Sequence, residues 1–388
     1  MTGPLHDLLV ADFSRVLAGP YATMLLADMG ATVVKIEHPD GGDDTRSWGP
    51  PWSDGTSTYF QAVNRNKISV ACDLRRPDDR DVARELCDQA DVVVENFRPG
   101  TMERRGLGPD EVLARNPGAV YCSISGFGPG AGSELLGYDF LVQAVGGLMS
   151  VTGETDGPPM KVGVAIVDVI TGLHALSGIL AALHHRDRTG VGQRIEVNLM
   201  SSLLSALVNQ VSSYLNTGTV PVALGNVHPS IAPYEMLEAS DRPLALAVGN
   251  DSQFRALCAE LGNPQWADDV RFATNDVRVA NRPALVAALQ GVLATAPAQQ
   301  WVDRLTARGV PCGLVNGIDE AVAMAERLGL EPSVDVTRSD GTTSRQARHP
   351  VTFTPTPASY RLAPPRWDEV TEAAELPALL RVWRKRPS

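Results

Sequence analysis

Taken as a pattern of apolar and polar positions, the chain opens on a strand, a helix and a second strand. Residues 8–12 form a short apolar run of strand length. Residues 20–29 carry apolar side chains at helical spacing with proline in the first turn, and 32–36 are strand-like again. The alternation continues with a helix over 81–90, a buried strand over 91–94, a short helix over 109–115 and a strand over 119–124. Such alternation predicts a mostly parallel sheet with helices on both faces. The glycine-rich stretch 126–132 reads as a loop. Residues 194–198 predict a further strand, and 201–215 a long amphipathic helix.

Residues 216–233, rich in Gly, Pro, Asn and Val, read as a linker. A second pattern follows: strand 243–248, helices 252–261, 282–293 and 298–308, and strand 312–315. The expected division is a large α/β domain over 1–215, the linker 216–233, a smaller α/β domain over 234–325, and a tail over 326–388 that returns to the large domain. A chain of 388 residues is long enough for two such cores.

One charge interrupts the pattern. Asp168 lies inside the apolar stretch 162–176, where an unpaired carboxylate is costly. Downstream, Val169, Leu173, Leu176, Leu180 and Leu183 recur at helical spacing, so Asp168 stands where a helix begins. It is either an N-cap, accepting free backbone N–H groups, or a nucleophile, desolvated and kept ionised by the helix dipole.

Composition narrows the chemistry. A net charge of -11 excludes nucleic acid as the main partner. No apolar run reaches the length of a membrane span and the N-terminus lacks a basic leader, so a cytoplasmic protein with no membrane partner is expected. The five cysteines are scattered without a Cys-x-x-Cys pair, and the histidines lack metal-binding spacing, so no metal is expected.

Basic residues gather after expected strands: Arg65, Lys67, Arg75 and Arg76 in one group, Arg98, Arg104 and Arg105 in another. Beyond the carboxyl ends of a parallel sheet such residues suit phosphate, and Phe97 offers a flat face to a purine. As single residues they could equally be solvated loop arginines. Glu37 ends the second strand, where a dinucleotide fold keeps its ribose-binding carboxylate. The turn before the first helix, however, has one glycine where the phosphate-binding fingerprint needs three, which argues against NAD.

Together these residues resemble a known family. Arg15-Val-Leu-Ala-Gly-Pro20, Lys35-Ile-Glu37, Asn64-Arg-Asn-Lys67, Val94-Glu-Asn-Phe-Arg-Pro-Gly100, Gly137-Tyr-Asp139, Asp168 and Thr189-Gly-Val-Gly-Gln193 are similar to the class III CoA-transferases, the CaiB/BaiF, formyl-CoA transferase and α-methylacyl-CoA racemase group. The resemblance spans nearly the whole chain. It implies a Rossmann-like large domain that binds CoA, a smaller α/β domain, and two chains interlocked as a homodimer. Coenzyme A or acyl-CoA is then a substrate, and no cofactor is held permanently. Positions matching the family's CoA contacts are Leu17, Ala18, His38, Cys72, Asp73, Leu74, Arg75, Asn96, Phe97, Arg98, Arg104, Tyr138 and Asp139. His38 departs from the arginine common in the family, and the stretch 225–231 lacks the family's glycine-run lid.

The resemblance also implies that Asp168 carries the acyl group and then CoA, moving CoA from an acyl-CoA donor to a free carboxylic acid. The racemase alternative uses a His–Asp pair, and here Tyr138 stands in the position of that histidine. Tyrosine, with an ordinary pKa near 10, is a poor base at neutral pH, which favours transfer over racemisation. A CoA-binding paralogue without catalysis is the other alternative. The stretch 225–234 looks similar to family members that use dicarboxylates, making His228 and Ser230 candidates for the remote carboxylate of the acceptor.

Overall fold

The structure, a computed structural model, describes residues 3–384; the outermost residues of the expected first and last segments lie outside the described residues. The chain forms two compact units, one comprising 1–148, 161–220 and 331–388, the other 149–160 and 221–330. The short segment 149–160 thus leaves the first unit's chain trace and belongs to the second.

The first unit is built on strands β1 (Leu9–Asp12), β2 (Thr32–Glu37), β3 (Lys67–Ala71), β4 (Val92–Glu95), β5 (Val120–Ser125) and β6 (Gln193–Asn198). A two-residue strand, β7 (Thr371–Glu372), completes a seven-stranded sheet in the order β7-β3-β2-β1-β4-β5-β6. Every pairing is parallel. Central strands covered on both faces must be apolar throughout, and Leu9–Asp12 and Val92–Glu95 are buried along their whole length. From β1 the chain winds outward one way through β2 and β3, then returns beside β1 to wind the other way through β4, β5 and β6. That reversal leaves a crevice between the carboxyl ends of β1 and β4.

Helices α1 (Ala18–Asp28) and α2 (Pro77–Gln89) follow β1 and β3; α3 (Pro109–Arg115) precedes β5. Helix α4 (Asp139–Val145) and the long α5 (Ile166–Thr189) then precede β6. Helix α5 is long and apolar enough to cross a membrane by length and composition, contrary to the expectation from the sequence. Here its Val167, Ala175, Ile179, Ala182 and Leu183 are buried in one core with Leu26, Val33, Val94 and Ile124. The helix expected over 201–215 is two helices, α6 (Leu199–Ala206) and α7 (Val208–Thr217), separated at Leu207 where Val208 takes a positive φ of 36°.

The tail closes the sheet's other edge. Arg361 donates to the carbonyls of Ala27, Gly30 and Ala31 at the end of α1, and Asn66 Oδ1 accepts the N–H groups of Arg361 and Leu362. These contacts bring the chain to β7 on β3. The second unit has its own three-stranded antiparallel sheet of Tyr234–Glu238, Pro243–Ala247 and Cys312–Leu314. Its core is Leu237, Leu244, Leu246, Phe254, Leu289 and Trp301. The helix Ile318–Arg327 in this unit has no counterpart in the sequence reading and buries none of its residues.

Candidate active site

The sheet's reversal point is a cleft whose lining includes Ala18, Asn96, Phe97, Arg98, Ser125 and Gly137. Four of the residues expected at CoA, Ala18, Asn96, Phe97 and Arg98, therefore share one wall-to-wall space. Asn96 Oδ1 accepts the Arg15 N–H at 2.8 Å and its Nδ2 donates to the Arg15 carbonyl at 2.7 Å, locking the end of β4 to the turn after β1. The Arg15 guanidinium lies 5.3 Å from the centre of the Phe97 ring. Leu17 is the residue before α1 and makes no side-chain cap.

A second group gathers at the ends of β2 and β3. Asp73 accepts from the backbone and guanidinium of Arg75, whose Nη2 lies 2.8 Å from His38 Nε2. Hydrogen bonds from Arg75 hold the Asp73 carboxyl well below the usual range. Cys72 is buried and its thiol donates to the Asp79 carbonyl; burial, with Asp79 and Asp73 adding to it, pushes that thiol up to about 12. Leu74 packs into the adjoining core, and its carbonyl accepts from Arg105, tying this loop to the one after β4. Arg98 and Arg104 are exposed, Arg104 donating to Thr101.

Two basic residues of the expected phosphate cluster are engaged elsewhere. Arg65 forms a bidentate pair with Asp28 beneath the sheet, and Lys67 Nζ reaches Asp12 at 3.1 Å, the Pro20 carbonyl and Asn64. Both are buried. Glu37 is likewise consumed by Arg46 and cannot face a ribose.

Asp168 is the third residue of α5 rather than its cap. Ala165 occupies the cap position and has no side chain for the task. The carboxylate of Asp139 does it instead, accepting the N–H groups of Val167 at 2.8 Å and Asp168 at 3.2 Å while its other oxygen takes Gln143 at 2.6 Å. The helix begins two residues earlier than Asp168, at Ile166 inside the apolar stretch. The consequence reverses the expected electrostatics. Burial, and after it the Asp139 carboxylate, push Asp168 up to about 7.

Asp139 reaches this place because Gly137 meets Gly126 backbone to backbone at the end of β5; a Cβ on Gly137 would lie 2.3 Å from the Gly126 Cα. Tyr138, between them, is 57% exposed. Gly172, one turn beyond Asp168, plays a similar part: a Cβ there would stand 2.6 Å from the Ala18 carbonyl oxygen, so α1 can press against α5.

Sequence reasoning missed Tyr59, which feels the charge of Asp168, and the Trp48 ring packed on it. Tyr59 has its phenol pushed up to about 12 by burial and by the charges of Asp168, Asp139 and Asp43. The Trp48 ring packs edge-on against it at 5.4 Å. Nothing in the local pattern near Trp48 and Tyr59 marks them; only a fold that returns them to α5 does. In the second unit, His228 Nδ1 accepts the Ser230 N–H at 3.2 Å, and the His228 ring packs on Tyr234. Arg282 holds the carbonyls of His228 and Ile231, and the Ser230 carbonyl accepts from Asn275.

A parallel α/β unit with a cleft at the sheet's reversal point is an α/β architecture that takes a ligand across strand ends. The sequence profile of CoA-transferase family III matches residues 5–371, and the chain belongs to that family. It is 43% identical over 378 residues to the succinate–glutarate CoA-transferase of Agrobacterium fabrum, covering 94% of this chain and 93% of that one. It is 42% identical to the acetyl-CoA:oxalate CoA-transferase of Acetobacter aceti, covering 84% of each. Among solved structures, a CaiB/BaiF family protein from Brucella suis superposes with a TM-score of 0.87 at 39% identity, covering 99% of this chain and 100% of that one.

Proposed function

We propose that this CoA-transferase moves CoA from an acyl-CoA donor to a free dicarboxylic acid through covalent intermediates on Asp168. The observation that carries the reading is the state of Asp168: a carboxyl in the first turn of an apolar helix, with no cation paired to it among the described residues and raised to about 7. A carboxylate stripped of water and of counter-charge is a stronger nucleophile than one solvated or ion-paired. Support for dicarboxylates comes from relatives named for succinate, glutarate and oxalate.

The steps balance without net proton transfer. An Asp168 oxygen attacks the thioester carbonyl carbon; the C–S bond breaks and CoA leaves as thiolate, giving a mixed anhydride. The thiolate attacks the Asp168 carboxyl carbon, expelling the donor acid as carboxylate and leaving an aspartyl-CoA thioester. The acceptor carboxylate attacks that same carbon, releasing CoA thiolate and forming a second anhydride. Thiolate then attacks the acceptor's acyl carbon, giving the new acyl-CoA and free Asp168. Tyr59, held protonated by burial and then by the charges of Asp168, Asp139 and Asp43, can serve these steps as a hydrogen-bond donor only.

In this reading the cleft residues Ala18, Asn96, Phe97 and Arg98, with Leu17 before α1 and the group His38, Cys72, Asp73, Leu74, Arg75 and Arg104, hold CoA on a Rossmann-like unit. Tyr138 and Asp139 flank the acyl end, and His228 and Ser230 serve the acceptor. Two chains interlock, and the exposed Leu135, Leu136, Phe140 and Val145 support a covering copy. The protein works in the cytoplasm.

The test uses succinyl-CoA with glutarate in heavy water, following CoA exchange and α-deuteration together. Exchange without deuteration is expected, with loss of exchange in Asp168→Ala. Deuteration without exchange would establish the racemase alternative, and exchange that survives in Asp168→Ala would remove the nucleophile from the scheme.

A further inference from the structure

We infer that the strained turn Arg15-Val16-Leu17 is a positioning element that sets the register between the cleft and Asp168. The inference rests on the reading of Asp168 as nucleophile and of the cleft as the CoA site.

Val16 sits at φ 69°, in the left-handed region that a β-branched residue rarely enters. Such a conformation persists only when its surroundings over-determine it. Here two elements from different parts of the chain do so. Asn96, at the end of β4, takes both backbone groups of Arg15. Asp43, after β2, accepts the Val16 N–H with both carboxylate oxygens at 3.3 Å. Asp43 is itself immobile, because it also holds Lys35 Nζ at 2.9 Å and the N–H and hydroxyl of Thr45.

What the turn connects gives it a role. On one side lie Asn96 and Phe97, which line the cleft. On the other, Ala18, which also lines the cleft, starts α1, and its carbonyl meets Gly172, four residues beyond Asp168 on α5. A shift of the turn therefore moves the cleft wall relative to the Asp168 carboxyl. Glycine would adopt the same φ without strain but would leave the turn free to take others. Valine, stiff at χ1 and pinned at both ends, admits one register. Near-attack geometry is sensitive at this scale, since a displacement of about 1 Å can cost about a hundredfold in rate.

The experiment compares Val16→Gly, Val16→Asn and Asp168→Ala with the unmodified full-length protein in the succinyl-CoA and glutarate assay, alongside thermal unfolding. Val16→Gly is expected to keep or raise the thermal midpoint, keep KM for succinyl-CoA within about twofold, and lower kcat about tenfold. Val16→Asn, which tolerates the left-handed region, should recover part of kcat. Asn96→Ala should lower kcat as well, and its effect combined with Val16→Gly should be less than the product of the two. An undiminished kcat in Val16→Gly would overturn the inference, as would a rate that falls only in step with a falling midpoint. Failure of the underlying reading shows separately, as exchange retained by Asp168→Ala.

Discussion

Two regions of the first unit bury carboxylates, and they treat them in opposite ways. Beneath the carboxyl ends of β1, β2 and β3 lies a charged belt of Asp12, Lys35, Glu37, Asp43, Arg46 and Lys67, all buried. Each acid there has a cation in contact: Lys67 on Asp12, Lys35 on Asp43, Arg46 on Glu37. Burial alone would raise all three acids, but the cations outweigh it, so Asp43 is lowered to about 2 and Glu37 and Asp12 are lowered as well. The first turn of α5 holds one half-buried carboxyl, Asp168; among the described residues no cation pairs with it, and desolvation with the Asp139 charge raises it to about 7. Burial is common to both regions; the sign of the nearest charge separates a structural acid from a reactive one.

The largest effect expected from this contrast is on activity. Asp168→Ala should lower the rate of CoA exchange by about 10^4-fold or more while leaving the unfolding midpoint in urea unchanged or higher, because it removes a half-buried acid whose desolvation no paired cation offsets among the described residues. A variant that loses stability instead would place Asp168 with the belt.

Next in size is a break in the belt itself. Asp12→Ala leaves Lys67 in the sheet without its carboxylate, and removing one member of a buried pair costs about 3–5 kcal/mol. Urea unfolding at neutral pH measures it. A loss below about 1 kcal/mol would mean that Pro20 and Asn64 alone satisfy Lys67, and that pairing is not what distinguishes the two regions.

Much of this contrast lies outside what the sequence can show. The order of strands and helices in the first unit follows from periodicity, and Asp168 stands out as one acid in an apolar run. The assignment of Arg65 and Lys67 to a phosphate cluster failed because their partners, Asp28 at the end of α1 and Asp12 at the end of β1, lie 37 and 55 residues away and meet them only in the folded unit. The same holds for Tyr59, which feels the charge of Asp168 across more than a hundred positions, and for Asp139, which takes the capping role that the sequence left open to Asp168. A two-residue edge strand such as Thr371–Glu372 carries no periodicity at all. Local spacing reports which face is buried; it says nothing of which charge will be found there.

The third expectation concerns pH. If the ionised Asp168 attacks, kcat/KM should rise about tenfold per pH unit below about 7 and level off above it. Stability should move the other way. A carboxyl raised from 3.8 to about 7 on folding contributes stability that is full below about pH 4 and lost as pH rises through 7. Asp43, lowered from 3.8 to about 2, contributes stability that is present at neutral pH and lost as pH falls toward 2. Asp168→Asn should therefore gain on the unmodified protein between pH 5 and about pH 7 and hold that gain above it in unfolding measurements. A constant difference across that range would mean that Asp168 does not titrate there.

The smallest effect tests whether the contrast extends to the cleft. Glu95 ends β4, is 8% exposed, and accepts the Phe97 N–H at 2.9 Å. Burial pushes it up to about 7, with Glu103 adding to the rise and Ser123, the Phe97 N–H and Arg194 opposing it. Like Asp168 it lacks a contacting cation, yet like the belt acids it does structural work, holding the backbone that presents Phe97. Glu95→Gln keeps an acceptor for that N–H and removes the charge. The variant should be more stable than the unmodified protein by about 1–2 kcal/mol at pH 8. The gain should vanish by pH 5, where Glu95 is already protonated. A variant less stable at every pH would show that the ionised form is the one the fold prefers. Glu95 would then belong with the paired acids, and the sign of the nearest charge would no longer sort the buried carboxylates of this protein.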